Sequence, residues 1–459
     1  MQTIALRPLR VRPEVGVSLR GAMLVWLAML VSFAQFRFRP AAELFGRGGM
    51  DFQVKLQIAI WLGLGLLAGY LILTGRVQLG WLRQAPLCWY AAYCLWALMS
   101  ALWSPSPSLS GFRAGQLAVA LVLVLSLGGR LKDVYTFILV FLGVNWVLVI
   151  LGITGLNFGQ SWILPPGQAY LMLGESPGVP WRFCSAFGHP TPIGALAAAA
   201  AVGLLARTRA GDWKKNGPRI AFLALTAVLT VSRTGIAGMV LGALLVLVIR
   251  REMWPVVLGT AVILLPLALL PTFDEGVVGF LRRGQSSSEL KSFTGRDEIY
   301  AAELKRAERA GFIGLGFQCS RIASKDISVE EVHVAHAHNA FLESYTSLGV
   351  PGLTLAIVLV LSLSRAIVRL IRRCSQGACA DNLAGWELTG MAVPMFAYCL
   401  TDSGFAVNPN QYVMLFMLLT VRLTTLVAES PQTSYQLQGV LRPSPPPTGT
   451  PAGVLDPSR

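Results

Sequence analysis

Residues 232–251 read SRTGIAGMVLGALLVLVIRR: a polar turn, an apolar run without a charged residue, and a closing pair of arginines. A soluble helix keeps one polar face for water, and this run has none. As a helix rising about 1.5 Å per residue, with arginine holding its ends, it suits the hydrocarbon core of a bilayer.

Outward from it the same pattern recurs along the chain. Candidate spans are 21–36, 56–74, 85–103, 114–129, 134–154, 191–206, 219–231, 235–250, 254–271, 349–365, 387–405 and 410–427. The 459 residues are 54% hydrophobic and only 13% charged, whereas a soluble domain carries about twice that charge. Mean hydropathy is +0.59. The expected fold is all-α, a polytopic membrane protein of about 12 transmembrane helices.

A net charge of +15 can signal nucleic acid, but here the basic residues fall in short clusters between apolar runs, which is the pattern of topology. Starting with Arg7, Arg10, Arg12 and Arg20 in the cytoplasm, every second connection is basic. These are Arg76 and Arg83; Arg130 and Lys132; Arg207, Arg209, Lys214, Lys215 and Arg219; Arg250 and Arg251; and Arg365, Arg369, Arg372 and Arg373. Only Arg37, Arg39, Arg47 and Lys55, between the first two spans, break the rule. The first apolar run ends in Phe36-Arg-Phe-Arg39 without a small-residue cleavage signal, so the first span reads as uncleaved. A multi-pass protein of the bacterial inner membrane, in contact with membrane lipids and not with nucleic acid, is expected.

Five regions follow from this reading. Residues 1–20 are a basic cytoplasmic N-terminus, and 21–190 an N-terminal transmembrane region with an outer loop over 155–190. Residues 191–365 form a core that includes the long polar outer loop 272–338 between spans 9 and 10. Residues 366–427 carry the C-terminal transmembrane helices, and 428–459 a disordered, proline-rich cytoplasmic tail. In the long loop, Thr294-Gly-Arg-Asp297 has the spacing of a helix start, and Ile299, Ala302, Leu304, Ala307 and Ala310 keep an apolar face until Gly311. A second helix is expected from His338, with a stripe of Phe341, Leu342, Tyr345 and Leu348, until Val350-Pro-Gly352 breaks into the tenth span.

All four histidines, His189, His333, His336 and His338, fall on the expected outer side. His333 and His336 read as imidazoles of a solvated loop, and the alternating spacing of His336 and His338 fits no metal motif, so no metal and no cofactor is expected. His338 differs, since it directly precedes a helix with Asn339 beside it and Glu343 near one turn further on, which puts a general base within reach of a carboxylate. Seven scattered cysteines imply no zinc site or disulfide framework, although Cys184 and Cys319 share the outer side. Arg233, at the edge of a span, either snorkels to the headgroups or binds an anion. With Arg182 and Arg296 it makes three outer arginines at junctions with spans or helices, an arrangement suited to a diphosphate.

Ser232-Arg-Thr-Gly235, Phe293-Thr-Gly-Arg296, Gly311-Phe-Ile-Gly-Leu-Gly316, His338-Asn-Ala-Phe-Leu-Glu343 and Gly349-Val-Pro-Gly352 occur in this order. The ordered set resembles the core of the O-antigen ligase and polymerase superfamily, mainly over residues 190–365, with Arg182 and Leu102-Trp-Ser104 as outlying matches. Ser185 and Thr191 depart from the glycine and asparagine that members often carry there. The resemblance implies a C-type glycosyltransferase fold and an inverting, metal-independent transfer from undecaprenyl diphosphate, with the active site facing the periplasm. It matches Arg182, Arg233 and Arg296 to the family's diphosphate-binding arginines and His338 to its essential histidine. Glu343 is the expected orienting partner of His338. The partners implied are a lipid-linked glycan donor, a glycan or lipid A core acceptor, and other polysaccharide-assembly proteins. The competing reading is a twelve-span transporter of an anionic or lipid-linked substrate.

Overall fold

The computed structural model describes residues 52–126, 131–153, 190–250, 296–319, 337–376, 382–407 and 409–428, together with Val25, Ala28 and Phe183. Eleven α-helices and a few 3-10 turns account for almost all of them, and there is no strand among the described residues. The helices are α1 (Phe52–Leu73), α2 (Leu87–Met99), α3 (Pro107–Ser126), α4 (Leu131–Ile153), α5 (Pro190–Arg207), α6 (Trp213–Leu229), α7 (Arg233–Ile249), α8 (Arg296–Ala310), α9 (Ala340–Ser375), α10 (Asn382–Thr401) and α11 (Gln411–Ala428). Within α1, and in α3, α5, α9 and α11, there are stretches long and apolar enough to cross a membrane. The protein is therefore all-helical and polytopic over the described residues. Of the expected spans, 254–271 and all of 21–36 but Val25 and Ala28 lie outside those residues, as does most of loop 155–190, the segments 272–295 and 320–336, and the tail after 428.

Helix α5 is the centre of the packing and touches α6, α7 and α10. Its run Ala197–Ala201 is buried throughout, because small side chains let neighbouring backbones come close. On α7, Gly238 and Gly242 face α10: a Cβ on Gly238 would lie 2.7 Å from Pro394 Cα, and one on Gly242 would lie 3.2 Å from the Gly390 carbonyl oxygen. Helix α9 packs on α2, α10, α8 and α11, and α2 and α11 in turn pack on α3.

Helix α9 is broken at Gly349, whose φ of 68° is left-handed, and Pro351 follows two residues later. A proline has no N–H, so a break here orphans carbonyls one turn earlier. The segment 311–319 supplies their partners. Leu315 N donates to Thr346 O (3.1 Å), Gly316 N to Ser347 O (2.8 Å), and the returning bond runs from Val350 N to Phe312 O (2.9 Å). The Trp96 indole N–H donates to Leu348 O at 3.0 Å. Gly314 takes a φ of 77° against the Gly349 backbone, and a Cβ on Gly349 would overlap the Phe312 carbonyl. The two glycine motifs, 311–316 and 349–352, are thus the two halves of one joint.

Both helices expected in the long loop and after His338 are present, but each docks through a face that shares only part of the expected stripe, Ala307 on α8 and Leu348 on α9. On α8 the buried residues are Glu303, Arg306 and Ala307, while Leu304 is 47% exposed. At the head of α9 they are Glu343, Ser344, Thr346, Ser347 and Leu348, and Phe341, Leu342 and Tyr345 are only half-buried. The physical reason is mutual satisfaction of the hydroxyls. Ser344 Oγ meets Tyr93 OH at 3.0 Å, Ser347 Oγ donates to Glu343 Oε1 at 3.1 Å, and Thr346 Oγ1 donates to Leu342 O at 3.0 Å. At the head of α9 a polar face whose hydroxyls are bonded can be buried at little cost, and on α8 the buried Glu303 carboxylate and Arg306 guanidinium offset each other.

Candidate active site

Asn339 starts α9. Its backbone is extended at φ −156°, and its Oδ1 accepts from Phe341 N and Leu342 N, two of the amides that a helix start leaves without partners. Its Nδ2 donates to Leu400 O at 3.1 Å, which ties the head of α9 to the end of α10. Just before it, His338 holds a φ of 48°, an uncommon conformation for a residue with a side chain, of the kind that gathers at functional sites.

Three contacts hold that residue. Ala337 N donates to Glu343 Oε2 at 3.1 Å, Tyr300 OH of α8 donates to the His338 carbonyl at 3.2 Å, and the ring Nδ1 lies 4.0 Å from Asp402 Oδ1. The imidazole is 37% exposed and Asp402 18%. Asp402 is itself steadied by Ser403 N, which donates to Oδ1 at 2.7 Å. The Glu343 carboxylate therefore grips the backbone that enters His338, and the acid that faces the ring is Asp402.

From Asp402 the site continues into α7. Thr401 Oγ1 donates to Thr234 Oγ1 at 2.8 Å, which fastens the end of α10 to the second residue of α7. Arg233 is the first residue of that helix, and Ser232 caps it by accepting from Gly235 N at 3.2 Å. Gly235 is required by proximity, since a Cβ would come within 3.1 Å of both the carbon and the oxygen of the Gly194 carbonyl. Arg296 opens α8 one turn before Tyr300. Two of the three candidate arginines thus stand at helix starts, where unpaired N–H groups and the helix dipole favour an anion.

Arg182 lies outside the described residues, as do His189, His333 and His336. Its neighbour Phe183 is described: Phe183 N donates to Leu229 O at 2.8 Å, and its ring lies 4.8 Å from that of Trp146. Leu229 closes α6, four residues before Arg233. The Cys319 thiol is buried, 3.0 Å from Ser104 Oγ and 3.2 Å from Ser110 Oγ, and Cys184 is not among the described residues. Among those residues no three His, Cys, Asp or Glu side chains gather as metal ligands.

Beneath the site, Glu303 and Arg306 of α8 are buried in contact with each other. Burial, opposed by the Arg306 guanidinium and helped by the nearby Glu343 charge, raises the Glu303 carboxyl to about 7.

Sequence reasoning missed Asp402 and Tyr300. The signal for Asp402 was present: it is the only acidic residue between Glu387 and Glu429, and a carboxylate at the edge of an apolar span is expensive unless it does something. Tyr300 carried no signal, because its role depends on where α8 docks.

Residues 220–357 match the family model described as O-antigen ligase. No curated protein matches the chain.

Proposed function

We propose, for a chain that belongs to the O-antigen ligase and polymerase superfamily, that it is a membrane glycosyltransferase working at the periplasmic face of the inner membrane. It transfers or polymerises glycan from undecaprenyl diphosphate with inversion and without a metal. The observation that carries this reading is the meeting, at one end of the bundle, of the His338–Asp402 pair and the arginine-led start of α7 through the Thr401–Thr234 bond.

His338 takes the proton from the acceptor hydroxyl, whose oxygen attacks the anomeric carbon. The bond from that carbon to the diphosphate oxygen breaks, and the lipid diphosphate leaves with its electron pair. Arg233 and Arg296, joined by Arg182, meet the charge that develops on it, where fixed guanidinium groups in a site of low dielectric act without reorganising. Asp402 stabilises the imidazolium as it forms, and Glu343 positions His338 through the Ala337 amide. General-base help of this kind contributes about 10²- to 10⁴-fold.

The test is release of polyprenyl diphosphate from lipid-linked glycan by the purified protein in detergent, with glycan, lipid A core and protein acceptors offered in turn. Release that depends on one of them supports the reading and names the acceptor. No release with any acceptor, together with movement of the lipid-linked substrate across vesicles, overturns it in favour of transport.

A further inference from the structure

The end of the bundle remote from His338 carries a groove of about 370 Å³ between the start of α2 and the second half of α9. Trp89, Val358, Leu361 and Val427 form its apolar walls, and Arg365 and Arg369 stand at it one helical turn apart. Beyond the break at Gly349, Arg365 lies 16 residues further along α9, roughly 24 Å along a helix, so the groove stands at the far end of that span from the candidate active site.

Five arginines of this end differ in their partners. Arg207 pairs with Glu387 at 3.2 Å, Arg250 donates to the carbonyls of Leu205, Ala206 and Thr208, and Arg373 donates to Val427 O at 2.8 Å. Arg365 and Arg369 are exposed and have no hydrogen-bond or ion-pair partner among the described residues. The first group completes the fold, whereas the second adds two positive charges to an apolar slot. Leu361, 55% exposed, and Trp89, 38% exposed, lie on the surface of the slot, where a span faces hydrocarbon and an indole sits at the headgroup level.

We propose that this groove binds one anionic diacyl phospholipid of the leaflet opposite the transfer site, its phosphate on Arg365 and Arg369 and an acyl chain along Val358 and Leu361. Charge complementarity selects the headgroup, since each arginine near the surface favours an anionic lipid, and the apolar wall rules out a free phosphate as the fitting ligand. The site is independent of the transfer chemistry, so a His338→Ala protein keeps it.

The full-length protein in detergent, titrated with phosphatidylglycerol and with phosphatidylethanolamine of the same acyl chains, gives the test by native mass spectrometry. Wild type is expected to retain one phosphatidylglycerol at least tenfold more strongly than phosphatidylethanolamine, and millimolar inorganic phosphate leaves that adduct in place. Arg365→Ala/Arg369→Ala removes the preference. Leu361→Trp, which fills the slot and keeps both charges, weakens retention of the lipid, so the test stands even if the double variant fails to fold. Equal retention of the two lipids by wild type, displacement by phosphate alone, or undiminished binding in the Leu361→Trp protein would overturn the proposal.

Discussion

The two ends of the bundle use arginine in opposite ways. At one end Arg250 lies just beyond the last residue of α7 and caps the end of α5, and Arg373 binds the last turn of α11. There a cation meets carbonyl oxygens and the negative end of a helix dipole, and it adds stability. At the other end Arg233 and Arg296 are the first residues of α7 and α8, where the dipole opposes a cation. A cation at such a helix start is favoured only beside an anionic group, whether of the protein or of a ligand. The same residue type is therefore structural at one end and a candidate ligand at the other, and the sign of the helix end tells them apart.

That contrast can be broken most directly by mutation. His338→Ala is expected to lower glycan transfer by about two to four orders of magnitude. Arg233→Ala and Arg296→Ala remove most of it, and the lysine variants fail to restore it, since an ammonium lacks the bidentate fork. Polyprenyl diphosphate release measures all of these, and full activity of Arg233→Lys would end the diphosphate assignment. Gly349→Val is next in size. It forces a branched side chain into a left-handed position against Phe312 O, a cost of about 3 kcal/mol or more, read as lost accumulation or a lower Tm in detergent.

Asp402→Asn keeps the shape beside His338 and removes its charge, and kcat is expected to fall at least about tenfold while KM is little changed. A wild-type kcat would leave Asp402 a structural residue. Arg250→Ala sharpens the other side of the comparison. It gives up three carbonyl contacts and about 1–2 kcal/mol of stability, with transfer activity unchanged. A large loss of activity with unchanged Tm would blur the distinction between the two ends.

The smallest effect is one of pH. Burial raises the Glu303 carboxyl from 4.5 to about 7, so the docked α8 holds that proton more tightly than the unfolded chain does. Its contribution is complete below about pH 4.5 and is lost as pH rises through about 7. The Tm of the wild type should therefore carry a component that falls over that window and that Glu303→Gln removes. An unchanged slope in the variant would mean that Glu303 is ionised throughout.

Helix positions were legible in the sequence because apolar runs and basic flanks are local signals: 134–154 corresponds to α4 (Leu131–Ile153) and 191–206 to α5 (Pro190–Arg207). The start of α8 near Thr294–Asp297 and that of α9 near His338 were legible from equally local signals. The docking faces of α8 and α9 were not, because apolar periodicity assumes that the oily face is the buried one. Here Glu303 and Arg306 of α8 are buried together, and Ser344 is buried against Tyr93 of another helix, so polar residues line the docked faces. Asp402 is likewise distant from its partner, 64 residues beyond His338 in the chain and opposite its ring in space.

The joint at Gly349 has a consequence for biogenesis. The amides of Leu315 and Gly316 leave the ribosome before the carbonyls of Thr346 and Ser347 that they meet, and the first half of α9 cannot close its backbone bonding until the earlier segment has come back to it. Correct insertion of the surrounding spans is a condition for that return. A chain inserted with one span out of order therefore lacks a formed head on α9, and with it the conformation in which His338 is held.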